Sequence, residues 1–496
     1  MPNKQRKSVV QAFLSSNRQY PILAGIAAGL YPIFFYYSNN FTLINTWLHL
    51  LYFLLWFLVV PAGVIFLASK LFKIEKLSKW RKYIVPFLNI FIFLFLLKIC
   101  LYAGIQRKMI VGIFIIAVLL SYFLKNHFKK IIVIQLILAF IGLMTLIPVL
   151  FKQLNYSEVW KVQPDTIEQA VFNKKPNVYF IQPDGYINFA ELKKGYYNFD
   201  NSQFESFLKQ ENFKSYPNFR SNYASTLASN SATFVMKHHY YNGGKDLSEA
   251  LNAREAIISE NPVLTVFKNN GYQTFFITEK PYLLQNRPKM GFDYSNFSYD
   301  EIPFISTGLS VEKETLPFLK EQMAGHPETP KFFFIELFEP GHIQNIERNS
   351  EGNEKERQKW LEILKIANKK LKAMVSEIKI KDPQALIIIM ADHGGYVGLD
   401  YAEQYLEKTQ DRDLIYSMFG ANLSINWPND EVPVFDSELK SAVNVFRVIF
   451  TYLSNDKKYL QKLQPNKSYI ILDKDVPEAG VYEYIDENGN ITAKPL

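Results

Sequence analysis

Five apolar stretches fill the first 151 residues, and they constrain the fold more than any other feature of the chain. They run approximately Tyr20–Tyr37, Leu43–Ala68, Tyr83–Ala103, Met109–Leu124 and Ile131–Phe151. A bilayer span needs about 20 mostly apolar residues; the fourth stretch is the shortest of the five. One such run could be a buried helix of a soluble protein. Five in succession, with short connections, predict an α-helical five-span membrane domain over residues 1–151. No small-residue cleavage pattern ends the first run and more spans follow, so it reads as a span and not as a signal peptide.

The connections carry an orientation signal. Lys4, Arg6, Lys7 and Arg18 precede the first run; Lys70, Lys73, Lys76, Lys79, Arg81 and Lys82 fill the second connection; Lys125, Lys129 and Lys130 lie in the fourth. The first connection, Ser38 to Thr42, has no basic residue, and the third has Arg107 and Lys108. Excess Lys and Arg marks the cytoplasmic side. The N-terminus is therefore expected inside, and everything beyond Phe151 outside. Trp47 and His49, near the outer end of the second run, read as interfacial anchors.

The formal net charge of +8 lies largely beside these runs, so it reports membrane orientation. The rest of the chain has no Lys/Arg block interleaved with aromatics, so nucleic acid is not an expected partner. The lone cysteine, Cys100, sits inside an apolar run. That excludes a disulfide framework and a cysteine-based zinc site.

Residues 152–175 are more polar and read as a juxtamembrane linker. From Pro176 to the end, β-rich apolar runs alternate with helical patterns. The runs are Val178–Ile181, Gln273–Ile277, Phe332–Leu337, Leu386–Met390 and Phe419–Ile425. The helical patterns are Ser202–Gln210, Pro262–Asn269, Ser310–Ala324, Glu354–Ile378 and Glu438–Leu453. Strands alternating with helices predict an α/β domain over 176–496 with a mostly parallel central sheet. Tyr469–Leu472, Val481–Ile485 and the Asn488-Gly489 turn signal before Ile491 predict a small C-terminal antiparallel addition.

Two of the runs end in possible metal ligands. Leu386–Met390 leads through Ala391 to Asp392-His393-Gly394-Gly395, and Val178–Ile181 leads to Gln182-Pro183-Asp184-Gly185. Parallel strands of one sheet end at the same edge, where open α/β folds place their sites. Asp184, Asp392 and His393 can then converge on one divalent cation, and two carboxylates with one imidazole suit Zn or Mn better than calcium. A third feature is rich in hydroxyls: Arg220-Ser221-Asn222-Tyr223-Ala224-Ser225-Thr226, continuing to Thr233. It reads as a helix N-cap followed by a Ser-rich helix. A hydroxyl beside the free N–H groups of a helix start is placed to meet a phosphate. On the residues alone, Ser225 and Thr226 are equivalent candidates.

The order of these pieces resembles the alkaline phosphatase superfamily. More narrowly, it is similar to the sulfatase-like membrane transferases, which include lipoteichoic acid synthases and lipid A phosphoethanolamine transferases. The residues that carry the resemblance are Pro176–Gly185, Ser221–Thr226, Ala391–Gly394 and Ser441–Arg447; it spans nearly all of 176–470. The resemblance implies a sulfatase-like fold in which Asp184, Asp392 and His393 are metal ligands. It implies that Thr226 is both ligand and nucleophile. Sulfatase chemistry itself needs Cys or Ser in a C/S-x-P-x-R context. Here Ser215-Tyr216-Pro217-Asn218 is followed by Phe219, and Arg220 comes one place too late.

Seven histidines are present and none follows His393, so a single metal is expected, not a pair. His342, in Glu339-Pro340-Gly341-His342, is the candidate ligand for a substrate phosphate, with Arg220 and Asn222 as further substrate contacts. Glu336 and Glu339 are possible polar neighbours. His238-His239 reads as an ordinary polar helix end, and His326 as a loop residue.

The resemblance implies an enzyme that moves a phospho head group, phosphoethanolamine or phosphoglycerol, from a membrane phospholipid through a phospho-threonine to an extracytoplasmic glycan or glycolipid. The implied setting is a bacterial cytoplasmic (inner) membrane. Two alternatives stand beside this: a membrane-anchored phosphodiesterase or phosphatase, and a catalytically degenerate glycan-binding or assembly protein.

Overall fold

The computed structural model describes residues 8–102, 104–243, 250–325 and 328–496. The chain divides into two compact units, Met1–Asn155 with Pro303–Thr307, and Tyr156–Ile302 with Gly308–Leu496.

In the first unit four helical segments are long and apolar enough to cross a membrane: Pro21–Ile44, Trp47–Leu71, Glu75–Leu101 and Arg107–Leu154. The last contains two helices, Arg107–Leu124 and Phe128–Leu154, joined by a 3-10 turn at Lys125–His127. The backbone leaves helical geometry at Leu124 (φ −99°, ψ 6°) and His127 (φ −108°, ψ 10°). The two helices also differ in their neighbours: the first packs on Arg81–Leu101, the second on Pro21–Ile44. A straight helix of that combined length would reach roughly 70 Å, against a hydrocarbon core of about 30 Å.

Packing inside this unit relies on small and amide side chains. Pro61 cannot donate to the carbonyl of Phe57 and crowds it. The chain widens there into a π-helical stretch, Leu54–Val59, and the Phe57 carbonyl lies against Gly29. A Cβ on Gly29 would stand 1.7 Å from that oxygen, so only glycine admits the approach. Asn89 Nδ2 donates to Gln135 Oε1 at 2.9 Å and to Ala24 O at 2.7 Å, and Gln135 Nε2 donates back to Asn89 Oδ1 at 3.0 Å. Every polar atom of this buried pair except one amide hydrogen of Gln135 is thereby used. The outer helix faces carry exposed Phe123, Phe140 and Phe151, the pattern of helices that lipid covers.

The second unit is built on a seven-stranded sheet in the order β2-β7-β6-β1-β5-β3-β4. The strands are β1 Val178–Pro183, β2 Phe213–Ser215, β3 Gln273–Thr278, β4 Tyr294–Ser295, β5 Lys331–Leu337, β6 Leu386–Met390 and β7 Leu423–Asn426. β1 pairs in parallel with both β5 and β6, and β3 pairs in parallel with β5 and β4. β7 is antiparallel to β6 and to β2. The core strands are buried along their whole length, as expected of strands covered on both faces. Each fully buried Phe or Ile there contributes about 1.5–3 kcal/mol. β8 Ser468–Leu472, β9 Gly480–Ile485 and β10 Ile491–Pro495 form the separate antiparallel sheet predicted at the C-terminus.

Two expectations shift. The Phe419–Ile425 run is strand only from Leu423. Asp411 caps a helix at Arg412–Phe419 by accepting from the N–H groups of Asp413 and Leu414, and that helix takes Phe419. Residues 156–175, read as linker, pack with the second unit. Ile167, Ala170 and Phe172 enter its core, and Asp165 Oδ2 pairs with buried Arg447 at 2.7 Å.

Candidate metal centre

β1 and β6 are neighbours with Ile181 beside Ile389, so their C-terminal extensions meet at one edge. β5 holds Asp184 from the other side: Asp184 N–H donates to Leu337 O and Gly341 N–H donates to Asp184 O, both at 2.8 Å. Gly185 then turns with φ +62°, and a Cβ there would sit 2.1 Å from Gly341 O. The Asp-Gly signal thus reflects a close crossing of two loops as well as a turn.

Thr226 comes from the chain between β2 and β3. It is the first residue of the helix Thr226–Val235, with Ser225 as the extended N-cap. Thr226, Asn230 and Phe234 lie on one helix face at four-residue spacing. Phe234 packs its ring against Phe180 and Phe334, with centroids 6.1 and 4.8 Å away. Phe180, Gln182 and Asp184 alternate on β1, and Gln182 is in register with Glu336 of β5. This gives three tiers: aromatic at the bottom, then Asn230 with Gln182, Glu336 and Thr278, then Thr226 with Asp184 at the sheet edge.

The top tier is a candidate ligand cage. One ligand atom each from Asp184, Asp392 and His393 lies within 4.8 Å of the others. His393 Nε2 is 3.4 Å from Asp184 Oδ1 and 3.4 Å from Asp392 Oδ2. Thr226 Oγ1 is 3.4 Å from Asp184 Oδ1 and 3.2 Å from His393 Nε2. In a tetrahedral zinc site with bonds near 2.0–2.1 Å, ligand atoms stand about 3.3–3.4 Å apart. These separations fit that geometry.

Asp392 and His393 commit their other polar atoms to the surrounding backbone. Asp392 Oδ1 accepts from Gly185 N–H at 3.1 Å and His393 N–H at 3.0 Å, while its buried Oδ2 has no hydrogen-bond partner among the described residues. His393 Nδ1 bonds to the Gly394 carbonyl at 2.8 Å. A carbonyl only accepts, so Nδ1 carries the proton and Nε2 presents a lone pair to the cage, the arrangement of a metal-binding histidine.

Charge tells the same story. Burial, then the Asp392 carboxylate, push the Asp184 carboxyl up to about 7. Burial also works against a charged His393, but Asp392, Asp184 and the Gly394 carbonyl together raise its pKa. Glu336, one tier down, is pushed well above the carboxylate range by burial and by Asp184 and Asp392, with Thr278 opposing. A divalent cation among these groups would relieve the repulsion. The residues present therefore fit a bound divalent metal.

Not every candidate reaches this place. His342 does: its ring centroid is 6.1 Å from His393 and 5.5 Å from Tyr396, and Nδ1 bonds to Ile343 O. Tyr396 stacks on His393 at 5.3 Å with rings 3° from parallel. Arg220 and Asn222 do not reach it. Arg220 donates to the carbonyls of Asn466 and Asp486, and Asn222 is tied between Lys467 O and Val443 N–H. Glu339 is held by Lys370 at 2.6 Å.

His238 and His239, expected as a polar helix end, are both 3% exposed. Each uses both ring nitrogens on neighbouring protein groups. His326 lies outside the described residues. The middle tier was missed apart from Glu336, although its members follow by counting: Asn230 is four residues beyond Thr226, and Gln182 two before Asp184.

No family model matches the chain, and no curated protein matches it. Among solved structures it is similar to the C-terminal periplasmic domain of EcEptC from Escherichia coli in complex with zinc (12% identity, 64% of this chain and 93% of that one, TM-score 0.42). It is similar to the lipoteichoic acid synthase LtaP from Listeria monocytogenes (13%, 66% and 91%, TM-score 0.41). A third is the integral membrane lipooligosaccharide phosphoethanolamine transferase A from Neisseria meningitidis (12%, 87% and 96%, TM-score 0.40).

Proposed function

We propose that the protein is a metal-dependent phosphotransferase of the cell envelope. In this reading Thr226 takes a phosphoethanolamine or phosphoglycerol head group from a membrane phospholipid and passes it to an extracytoplasmic glycan or glycolipid. The observation that carries it is the place of Thr226 Oγ1, at a helix start, within 3.2–3.4 Å of His393 Nε2 and Asp184 Oδ1. The motif resemblance of 176–470 supports the same assignment.

Asp184, Asp392, His393 and Thr226 would hold one divalent ion, Zn or Mn. When bound, such an ion supplies Lewis-acid stabilisation of phosphate charge and favours the alkoxide of Thr226. In the first half-reaction Thr226 Oγ1 forms a bond to phosphorus. The phosphorus–oxygen bond to the diacylglycerol breaks, and the hydroxyl proton ends on the departing alcohol. Asp184 Oδ1, to which the hydroxyl donates, orients it for attack. The first N–H groups of the helix Thr226–Val235 face the non-bridging oxygens, and His342 at the rim contacts the head-group phosphate. In the second half-reaction an acceptor hydroxyl attacks phosphorus, the Thr226 ester breaks, and the acceptor's proton returns to Oγ1.

The five apolar stretches of the first unit are read here as five spans, with a cytoplasmic N-terminus and the second unit outside. The Lys/Arg distribution and the turn at Lys125–His127 support this. Tethering raises the effective concentration of lipid donor at the site. The test is to incubate full-length protein with head-group-labelled phosphatidylethanolamine or phosphatidylglycerol and sequence the labelled peptide by mass spectrometry. A phosphodiester on Thr226, absent in Thr226→Ala, is expected. Head-group release at full rate in Thr226→Ala would overturn the reading.

A further inference from the structure

The first unit carries a strong excess of positive charge. Glu75 is the single acidic residue among the first 151, against sixteen Lys and Arg. Much of that excess converges. A cavity of about 380 Å³ is lined by Arg18, Lys82, Lys125, His127, Lys129 and Lys130, and among the described residues no carboxylate lines it. The basic groups arrive from three separate stretches: the chain before Pro21–Ile44, the start of Arg81–Leu101, and the turn Lys125–His127 with the first turn of Phe128–Leu154. Helix packing brings Arg18 and Lys82 to the cluster that Lys125, His127, Lys129 and Lys130 form along one stretch.

Two lysines are held by the fold. Lys129 Nζ donates to Phe13 O at 2.9 Å and to Ser16 O, which fixes the cavity wall. Lys125 Nζ sits over the rings of Tyr83 and Tyr122 at 5.0 and 4.5 Å. Those two tyrosines also line a groove of about 540 Å³ whose other walls are apolar except for Ser121: they include Trp80, Ile84, Phe87, Phe114 and Val118. The groove lies between the helices Arg81–Leu101 and Arg107–Leu124. A strongly cationic cavity adjoins an apolar channel through Lys82-Tyr83 and Tyr122–Lys125.

We propose that this pair of features binds one anionic phospholipid, its phosphate in the basic cavity and an acyl chain along the apolar groove. Charge complementarity selects the occupant. A zwitterionic lipid would bring its own cation into a cavity with no anion to meet it. A soluble phosphate would leave the adjoining groove uncovered. Basic pockets on the Lys/Arg-rich side of membrane helices suit such head groups. The inference rests on the first unit lying in a bilayer and is independent of the chemistry at Thr226.

The test uses full-length protein carrying Thr226→Ala, so that no lipid is consumed. The protein is equilibrated with dioleoyl phosphatidylglycerol or dioleoyl phosphatidylcholine, and lipid surviving a detergent wash is counted by native mass spectrometry. One retained phosphatidylglycerol is expected, and no phosphatidylcholine. Arg18→Gln with Lys82→Gln should lower retention roughly 30-fold, while Arg18→Lys with Lys82→Arg preserves it. Val118→Trp, which fills the groove and keeps every charge, should lower retention as well. Thermal melting checks that each variant is folded. Equal retention of both lipids, or unchanged retention in the charge-removing variant, overturns the proposal. So does displacement by inorganic phosphate with retention unaffected by Val118→Trp, which would mark a soluble-anion site.

Discussion

Two pairs of buried amides, one from each unit, are treated in opposite ways. Asn89 and Gln135 exchange hydrogen bonds across two helices of the first unit. Gln182 and Asn230, in the second unit, have all four side-chain polar atoms buried without a partner among the described residues, and Asp392 Oδ2 and Glu336 Oε1 join them. A satisfied buried pair is glue. Unsatisfied buried groups are costly and need a reason, and these four lie in consecutive tiers at one sheet edge. In the reading proposed above, these four are the polar groups of a ligand site. Histidine repeats the contrast within one unit: burial lowers His238 and His239 to about 4 and 3, while Asp392 and Asp184 reverse its effect at His393.

The strongest attempt to break this comparison is Asp392→Ala. If Oδ2 is reserved for a metal, bound metal measured by mass spectrometry falls to near zero and head-group transfer drops by at least ~10³-fold. Full metal content in this variant would remove the reading of the cage.

Acid unfolding tests the histidines. The unfolded imidazoles of His238 and His239 take up protons below about 6.5, but the folded ones resist until about 4 and 3. The unfolded state binds more protons in that window, so stability is full above about 6.5 and falls as pH drops toward 3. Urea midpoints across pH 7 to 4 should decline, and less steeply in His238→Gln. A flat profile in the wild type contradicts the burial argument.

A smaller effect is expected at the rim. His342→Gln should lower kcat/KM about 10- to 100-fold with metal content unchanged, which separates phosphate contact from metal binding. A parallel loss of metal would move His342 into the cage.

The smallest effects compare the amides directly. Asn89→Leu leaves Gln135 unpaired and should cost about 1–2 kcal/mol. Asn230→Leu removes two unpartnered atoms and should cost less than ~0.5 kcal/mol. Equal costs, measured by denaturant unfolding, would erase the distinction between the two amide pairs.

Much of this was legible in the residues because it depends on period and end position. Long apolar runs reveal helices whatever they pack against. A strand buried on both faces shows where it ends, and parallel strands share an edge, so Asp184, Asp392 and His393 could be brought together by counting. Thr226 could not be separated from Ser225 in that way. The helix start decides it, since Ser225 is the extended N-cap and Thr226 the first helical residue facing the cage.

Tertiary structure decided the rest. Arg220, Asn222, His238 and His239 have suitable chemistry, but Arg220 and Asn222 are turned to backbone groups more than 200 residues away in sequence, and both ring nitrogens of each histidine are taken by neighbouring protein groups. Phe419 went to a helix because Asp411 capped it. The basic cavity gathers charge from three stretches that sequence order keeps apart. Local pattern determines which residues could act; which atoms remain available depends on every neighbour that competes for them, and only the packed chain supplies those neighbours.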